Sequence, residues 1–186
     1  MLPLSGAGPS GPRPLLWVIC GAGRGVGKTH LALELCRTLP QAAYAKQGTS
    51  RRRPGKAESF FTTDAEMDAF LAQAGEAGRR HLVVESNALA RRGRGDVVIF
   101  VAGEVPVGGR GPAAGAGEGH ATPRGERPDA QLLRSLAHVV LDRGGPGPDR
   151  PAWRAALARA GLESALLAPV LGVLAGQAEW GGPARK

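Results

Sequence analysis

Cysteine is scarce: Cys20 and Cys36 are the only two in 186 residues. Neither stands at a metal-ligand spacing, so a zinc site is not expected. Both fall in apolar segments and are expected to be buried, reduced thiols, as suits a cytoplasmic chain. The four histidines, His30, His81, His120 and His138, are scattered and form no ligand pair. Aromatic residues are few (one Tyr, four Phe and three Trp) and are not interleaved with basic residues. That argues against a surface on which single-stranded nucleic acid stacks. Long apolar runs are also missing. Ala165–Ala175 is the longest, carries Pro169, and falls short of the roughly 20 residues a membrane span needs. The apolar run near the N-terminus is short and no basic residue precedes Leu2, so neither a signal peptide nor a membrane partner is expected.

Lysine is the last scarcity. Only Lys28, Lys46, Lys56 and Lys186 occur, so the net charge of +8 is carried almost entirely by arginine. With abundant Ala, Gly and Pro this resembles a genome-wide compositional bias. The charge is also uneven. Residues 1–60 hold nine Lys/Arg against two Asp/Glu, a balance of +7, whereas residues 61–186 hold fifteen against fourteen. A basic field confined to one segment suits a polyanionic small molecule at least as well as a nucleic acid. A nucleic-acid-binding role is therefore motivated by charge alone.

The length predicts one domain with a substantial core. Residues 1–14 are rich in Gly, Pro and Ser and are expected to be disordered. Residues 15–180 form the domain, interrupted at 103–128 by a stretch with eight glycines that is expected to be a flexible loop. Strands are predicted over Leu15–Cys20, Ala42–Lys46, His81–Glu85, Asp96–Val101 and Ala137–Leu141. Helices are predicted from Lys28 to near Leu39, from a Thr63/Glu66 capping box to about Gln73, over Ala130–Leu136, Pro151–Ala160 and Glu163–Ala175. The stretch from Gln47 to Ser59 reads as loop. Apolar strands alternating with helices predict an α/β fold of three layers around a mostly parallel sheet.

Against those scarcities stands one rich segment, Cys20-Gly21-Ala22-Gly23-Arg24-Gly25-Val26-Gly27-Lys28-Thr29, set between the first strand and the first helix. This is the layout of a phosphate-binding P-loop. Gly23, Arg24, Gly25, Val26 and Gly27 offer backbone N–H groups to a phosphate chain, Lys28 a point charge, and Thr29 a hydroxyl for Mg²⁺, with His30 in the first helical turn. The first glycine of the usual G-x-x-x-x-G-K-[ST] pattern is replaced by Ala22.

Open α/β sheets bind ligands beyond the carboxyl ends of their strands. At that edge the sequence places Lys46, Glu85 and Asp142, while Asp96 begins its strand and belongs on the opposite rim. Glu85, ending an apolar strand, fits a Walker-B carboxylate that holds Mg²⁺ with Thr29. Lys28 and Glu85 are the expected catalytic residues. Lys46 and the loop Arg51-Arg52-Arg53-Pro54-Gly55-Lys56 are candidates for clamping further phosphates. Asp142 is a candidate acceptor for a guanine base, although a strand-ending turn explains it equally well.

Together these residues resemble the molybdopterin-guanine dinucleotide biosynthesis protein B family over roughly residues 15–102. The resemblance rests on Gly23–Thr29, Tyr44-Ala45-Lys46, Arg53-Pro54-Gly55-Lys56 and Leu82-Val83-Val84-Glu85-Ser86. It implies a GTP-binding, Mg²⁺-dependent protein, often dimeric, that hydrolyses GTP slowly. Such a protein assists a nucleotidyltransferase partner attaching GMP to molybdopterin. The chain departs from the family at Gln47, where histidine is usual, at Ala57-Glu58, where an Asp is missing, and at Ser86, where glycine is usual. The alternative is an ATP-dependent small-molecule kinase or ligase similar to dethiobiotin synthetase, which has a similar fold and strand-terminal Glu.

Overall fold

The computed structural model describes residues 13–23, 25–48, 59–103, 128–142 and 148–179. Six strands and six helices lie along these residues: β1 Leu15–Gly21, α1 Lys28–Thr38, β2 Ala42–Gln47, β3 Ser59–Phe61, α2 Asp64–Glu76, β4 His81–Glu85, α3 Asn87–Arg91, β5 Val97–Val101, α4 Ala130–Ser135, β6 Val139–Leu141, α5 Arg150–Arg159 and α6 Ser164–Glu179. The strands form one all-parallel sheet in the order β3-β2-β4-β1-β5-β6. The three-layer α/β arrangement expected from the sequence is therefore the observed one.

Side chains alternate across a strand, so each strand feeds two cores. On one face Trp17, Ile19, Tyr44, Val83 and Ile99 pack with Leu31 and Leu35 of α1, Trp153 of α5 and Val170 of α6. On the other, Val18, Cys20, Ala45, Val84 and Phe100 pack with Met67 of α2, Leu89 of α3 and Leu133 of α4. Strands buried on both faces read as unbroken apolar runs, which is why β1, β4 and β5 were visible in the sequence.

Several elements differ from expectation. Residues 59–61 form the edge strand β3, paired with β2 through Ala45↔Ser59 to Gln47↔Phe61, whereas the loop expected from Gln47 ran to Ser59 and no strand was expected after it. Three half-buried residues at a sheet edge carry no periodicity that could announce them. Helix α3 was not anticipated; it spans five residues and starts from Ser86, whose hydroxyl accepts from Leu89 N. Helix α6 continues past Ala175 to Glu179 and contains Pro169. Asp96 precedes β5 rather than starting it. Its carboxylate accepts from Leu16 N at 2.8 Å and pairs with Arg13, at the amino rim where the sequence placed it. The predicted N-terminal disorder over 1–14, the basic loop 51–56 and the Gly-rich stretch lie almost wholly outside the described residues.

Of the two thiols, Cys20 is fully buried, and burial pushes its pKa up to about 12. It is an inert core residue that donates weakly to Ile99 O. Cys36 is only half-buried on α1, because it sits at the margin of the apolar stripe.

The end of β1 is packed more tightly than a side chain allows. A Cβ on Gly21 would stand 2.5 Å from Val101 O, the carbonyl that accepts from Ala22 N at 3.2 Å. Gly21→Ala is expected to force β1 and β5 apart at this edge, costing about 1–3 kcal/mol. For a chain of this size that lowers the thermal midpoint by several degrees. An unchanged midpoint in calorimetry would contradict this.

Candidate functional site at the carboxyl edge of the sheet

β1 delivers the glycine loop to the carboxyl edge of the sheet, flanked by β4 and β5. Gly25 and Gly27 have φ of 78° and 90°, left-handed values that a side chain rarely adopts. Ala22 needs no such freedom. Its φ is not positive, and the close approach to Val101 falls on Gly21, so the missing first glycine is supplied one position earlier. Gly27 caps α1 without a side-chain hydrogen bond. The first turn of α1 thus lacks the side-chain acceptor that Thr63 gives α2, Ser86 gives α3 and Asp149 gives α5. Arg24 lies outside the described residues. Val26 is buried beneath the loop, and the Lys28 ammonium donates back to Gly23 O.

The register places Lys46 of β2 beside Glu85 of β4 at the same level of the sheet. Their side chains project toward α1, whose first turn brings in Thr29. The result is one bonded cluster. Thr29 Oγ1 donates to Glu85 Oε2 at 2.8 Å, Tyr44 Oη donates to the same oxygen at 2.9 Å, and Lys46 Nζ donates to Oε1 at 3.0 Å. Lys46 Nζ also lies 3.5 Å from Thr29 Oγ1.

Glu85 is 7% exposed. Burial by itself raises its pKa. The hydrogen bond and charge of Lys46, with the bonds from Thr29 and Tyr44, outweigh that and hold the carboxyl below its ordinary value. Tyr44 moves the other way: burial first, then the neighbouring Glu85, push its phenol well up, so it stays protonated and donates. Glu85 is therefore an ionised carboxylate in a mostly buried pocket, bonded through both oxygens.

Tyr44, the single tyrosine, was not singled out as a site residue. The signal was present: it stands two residues before Lys46 on a strand, hence on the same face. Asn87 was also missed. Its Oδ1 accepts from Gly21 N at 3.2 Å and its Nδ2 donates to Gly21 O at 3.2 Å, so it clamps both backbone groups of the residue that enters the loop. Only topology brings residues 21 and 87 together. Gln47 and Ser86 also meet: Ser86 Oγ donates to Gln47 Oε1 at 2.6 Å, and Gln47 Nε2 donates on to Asp64 Oδ1 at 2.5 Å.

The remaining candidates stand apart from this cluster. His30 is exposed on α1 and lines a groove against α6. Asp142 follows β6 and pairs with Arg134 of α4, so its carboxylate faces the opposite layer from α1. At the amino end of β4, His81 is buried and accepts from Trp17 Nε1 at 3.4 Å. Burial, then Arg80, lower its pKa and keep it neutral, a structural role far from the loop. No group of three or more His, Cys, Asp or Glu assembles among the described residues.

Comparison with protein-family models, curated proteins and solved structures finds no match to this chain. Among the described residues no helix is long and apolar enough to cross a membrane.

Proposed function

We propose that this chain binds a Mg²⁺–nucleoside triphosphate at the glycine loop. The observation carrying the reading is the Thr29–Glu85 pair, 2.8 Å apart, next to the uncapped start of α1. Mg²⁺ takes hard oxygen ligands and keeps several waters, so it needs only one or two protein oxygens beside those of the phosphates. Thr29 and Glu85 supply that donor set. A hydroxyl has one proton and two lone pairs. Thr29 spends its proton on Glu85 and one lone pair on Lys46, which leaves the other lone pair for the ion. Tyr44 and Lys46 fix the carboxylate that fixes Thr29. The glycine-loop N–H groups and the Lys28 ammonium bind phosphate oxygens, with Lys28 exchanging Gly23 O for a phosphate. Bound there, the ion would neutralise charge on the terminal phosphates.

Within that class the favoured reading is GTP binding with weak hydrolysis in the service of molybdopterin guanine dinucleotide formation, with a nucleotidyltransferase as partner and a homodimer as assembly. It rests on the resemblance carried by the glycine loop, Lys46, Pro54-Gly55-Lys56 and Glu85. The second reading, an ATP-dependent kinase or ligase like dethiobiotin synthetase, is favoured by the position of Lys46. Its side chain is one-third exposed, with the ammonium beside Glu85, where it can face an acceptor substrate.

Titration calorimetry with GTP and ATP, each with and without Mg²⁺, tests the class. Micromolar, Mg²⁺-dependent binding is expected. Absence of binding for both nucleotides at millimolar concentration would refute it. A preference for ATP with substrate-stimulated ADP release would select the second reading.

A further inference from the structure

The groove between α1 and α6 is not used by the phosphate chemistry. It has a volume of about 210 Å³ and is lined by His30 and Glu34 of α1 and by Gly172, Val173, Gly176 and Gln177 of α6. Thr29 immediately precedes His30, so the groove opens beside the first turn of α1 and runs down one helical turn to Glu34.

Two independent features set it apart. Gln177 is 4% exposed, and its Nε2 finds no hydrogen-bond partner among the described residues. An amide donor buried without a partner costs about 1–3 kcal/mol, which selection tolerates where a ligand supplies the acceptor. The second feature is the pair of glycines inside α6. A Cβ at Gly172 or Gly176 would meet nothing within 4 Å, and neither has a positive φ. Glycine inside a helix costs about 1 kcal/mol relative to alanine. Neither packing nor backbone conformation among the described residues requires it at these two positions. What the glycines do is keep the wall of the groove bare.

We propose that this groove holds the purine base of the nucleotide, with Gln177 Nε2 donating to a ring or carbonyl acceptor and Glu34 accepting from an N–H of the base. The proposal rests on the reading of the glycine loop as a triphosphate site and adds the subsite for the other half of the ligand. The volume suits it, being below the range of pockets that enclose a whole drug-sized ligand and adequate for one flat ring system. The donor–acceptor pair suits it too, because adenine presents N7 beside its N6–H₂ and guanine presents O6 beside its N1–H. Asp142, the acceptor suggested by the sequence, is turned to the other layer by Arg134.

The test compares Mg²⁺-GTP, Mg²⁺-ATP and Mg²⁺-tripolyphosphate, the last carrying the phosphates without the base, on the full chain. Wild type is expected to bind GTP or ATP at least about tenfold more tightly than tripolyphosphate. In Gln177→Leu, which removes the unpartnered donor, and in Gly176→Leu, which fills the groove, that advantage is expected to vanish while tripolyphosphate affinity stays the same. The thermal midpoint without ligand is expected to hold or rise in both variants, which separates lost recognition from lost folding. If both variants keep the full nucleoside advantage, or if wild type binds tripolyphosphate as tightly as either nucleotide, the groove is not the base site and the triphosphate reading survives. If wild type binds none of the three, the triphosphate reading falls and this proposal with it.

Discussion

Lys28→Ala is expected to abolish nucleotide binding while leaving the fold intact. The ammonium makes its visible bond to Gly23 O, a carbonyl of the loop itself. Lys28 is only half-buried and belongs to neither apolar core; the core beneath α1 is closed by Leu31, Leu35 and the strand side chains without it. Truncation removes the hydrogen bond to Gly23 O, worth about 1 kcal/mol net, and improves helix propensity at the first position of α1. The midpoint without ligand should therefore move by only a few degrees. Binding should suffer far more. The lost group is a full charge against a polyanion, and charge-assisted bonds removed from a binding site cost about 2–5 kcal/mol, or roughly thirty- to several-thousand-fold in affinity. Thermal unfolding of both proteins with and without Mg²⁺-GTP separates the two effects. Ligand should raise the wild-type midpoint and leave that of Lys28→Ala unmoved. A variant stabilised by nucleotide as much as wild type would place the phosphates elsewhere.

The fold was legible where burial is two-sided and long. β1, β4 and β5 are runs of Val, Ile and Leu, and the alternation of such runs with helical patterns leads directly to a parallel sheet. β3 and α3 escaped because their stabilisation is tertiary. Ser59–Phe61 becomes a strand by pairing with β2, and Asn87–Arg91 becomes a helix because Ser86 caps it and Leu89 and Ala90 are buried. The site divides along the same line. Thr29, Lys46 and Glu85 were found because each ends or starts an element at the sheet's carboxyl edge, a position the topology rule makes readable. Their mutual bonding was not written in the sequence, since it depends on the register that sets Lys46 opposite Glu85. Tyr44 was hidden in plain view by strand alternation. Asn87 and the Gln47–Ser86 pair were hidden by distance in sequence: 66 residues separate Asn87 from Gly21, and 39 separate Ser86 from Gln47. Gln47 and Ser86 counted against the family role when taken singly. Bonded to each other, they join β2 to the start of α3.

Glu85 is the residue on which stability and function should separate most clearly. Glu85→Ala leaves the buried Tyr44 hydroxyl without its acceptor, a loss of about 1–3 kcal/mol. Lys46 is one-third exposed and can turn its ammonium to water, so its contribution is smaller. Glu85→Gln keeps an acceptor oxygen and nearly the same shape, and should destabilise less while still removing the charge that orients Thr29 and favours Mg²⁺. Both variants are expected to lose the Mg²⁺ dependence of nucleotide binding. The pH profile distinguishes the charge from the shape. Because the folded carboxyl titrates below its unfolded value of 4.5, the charge stabilises the fold fully above about that pH. That stability is lost as pH falls through the lower folded value. Glu66 complicates a direct reading, since backbone N–H groups of Thr62 and Thr63 hold it down to about 2 and add an acid-sensitive slope of their own. Glu66 is present in both wild type and Glu85→Gln, so the difference between their midpoints cancels it. That difference should be largest near neutrality and shrink steadily from about pH 5 downward. A constant difference across that range would mean that Glu85 holds the cluster by shape and hydrogen bonding alone. Retention of Mg²⁺-dependent binding in both variants would remove the carboxylate from the nucleotide site.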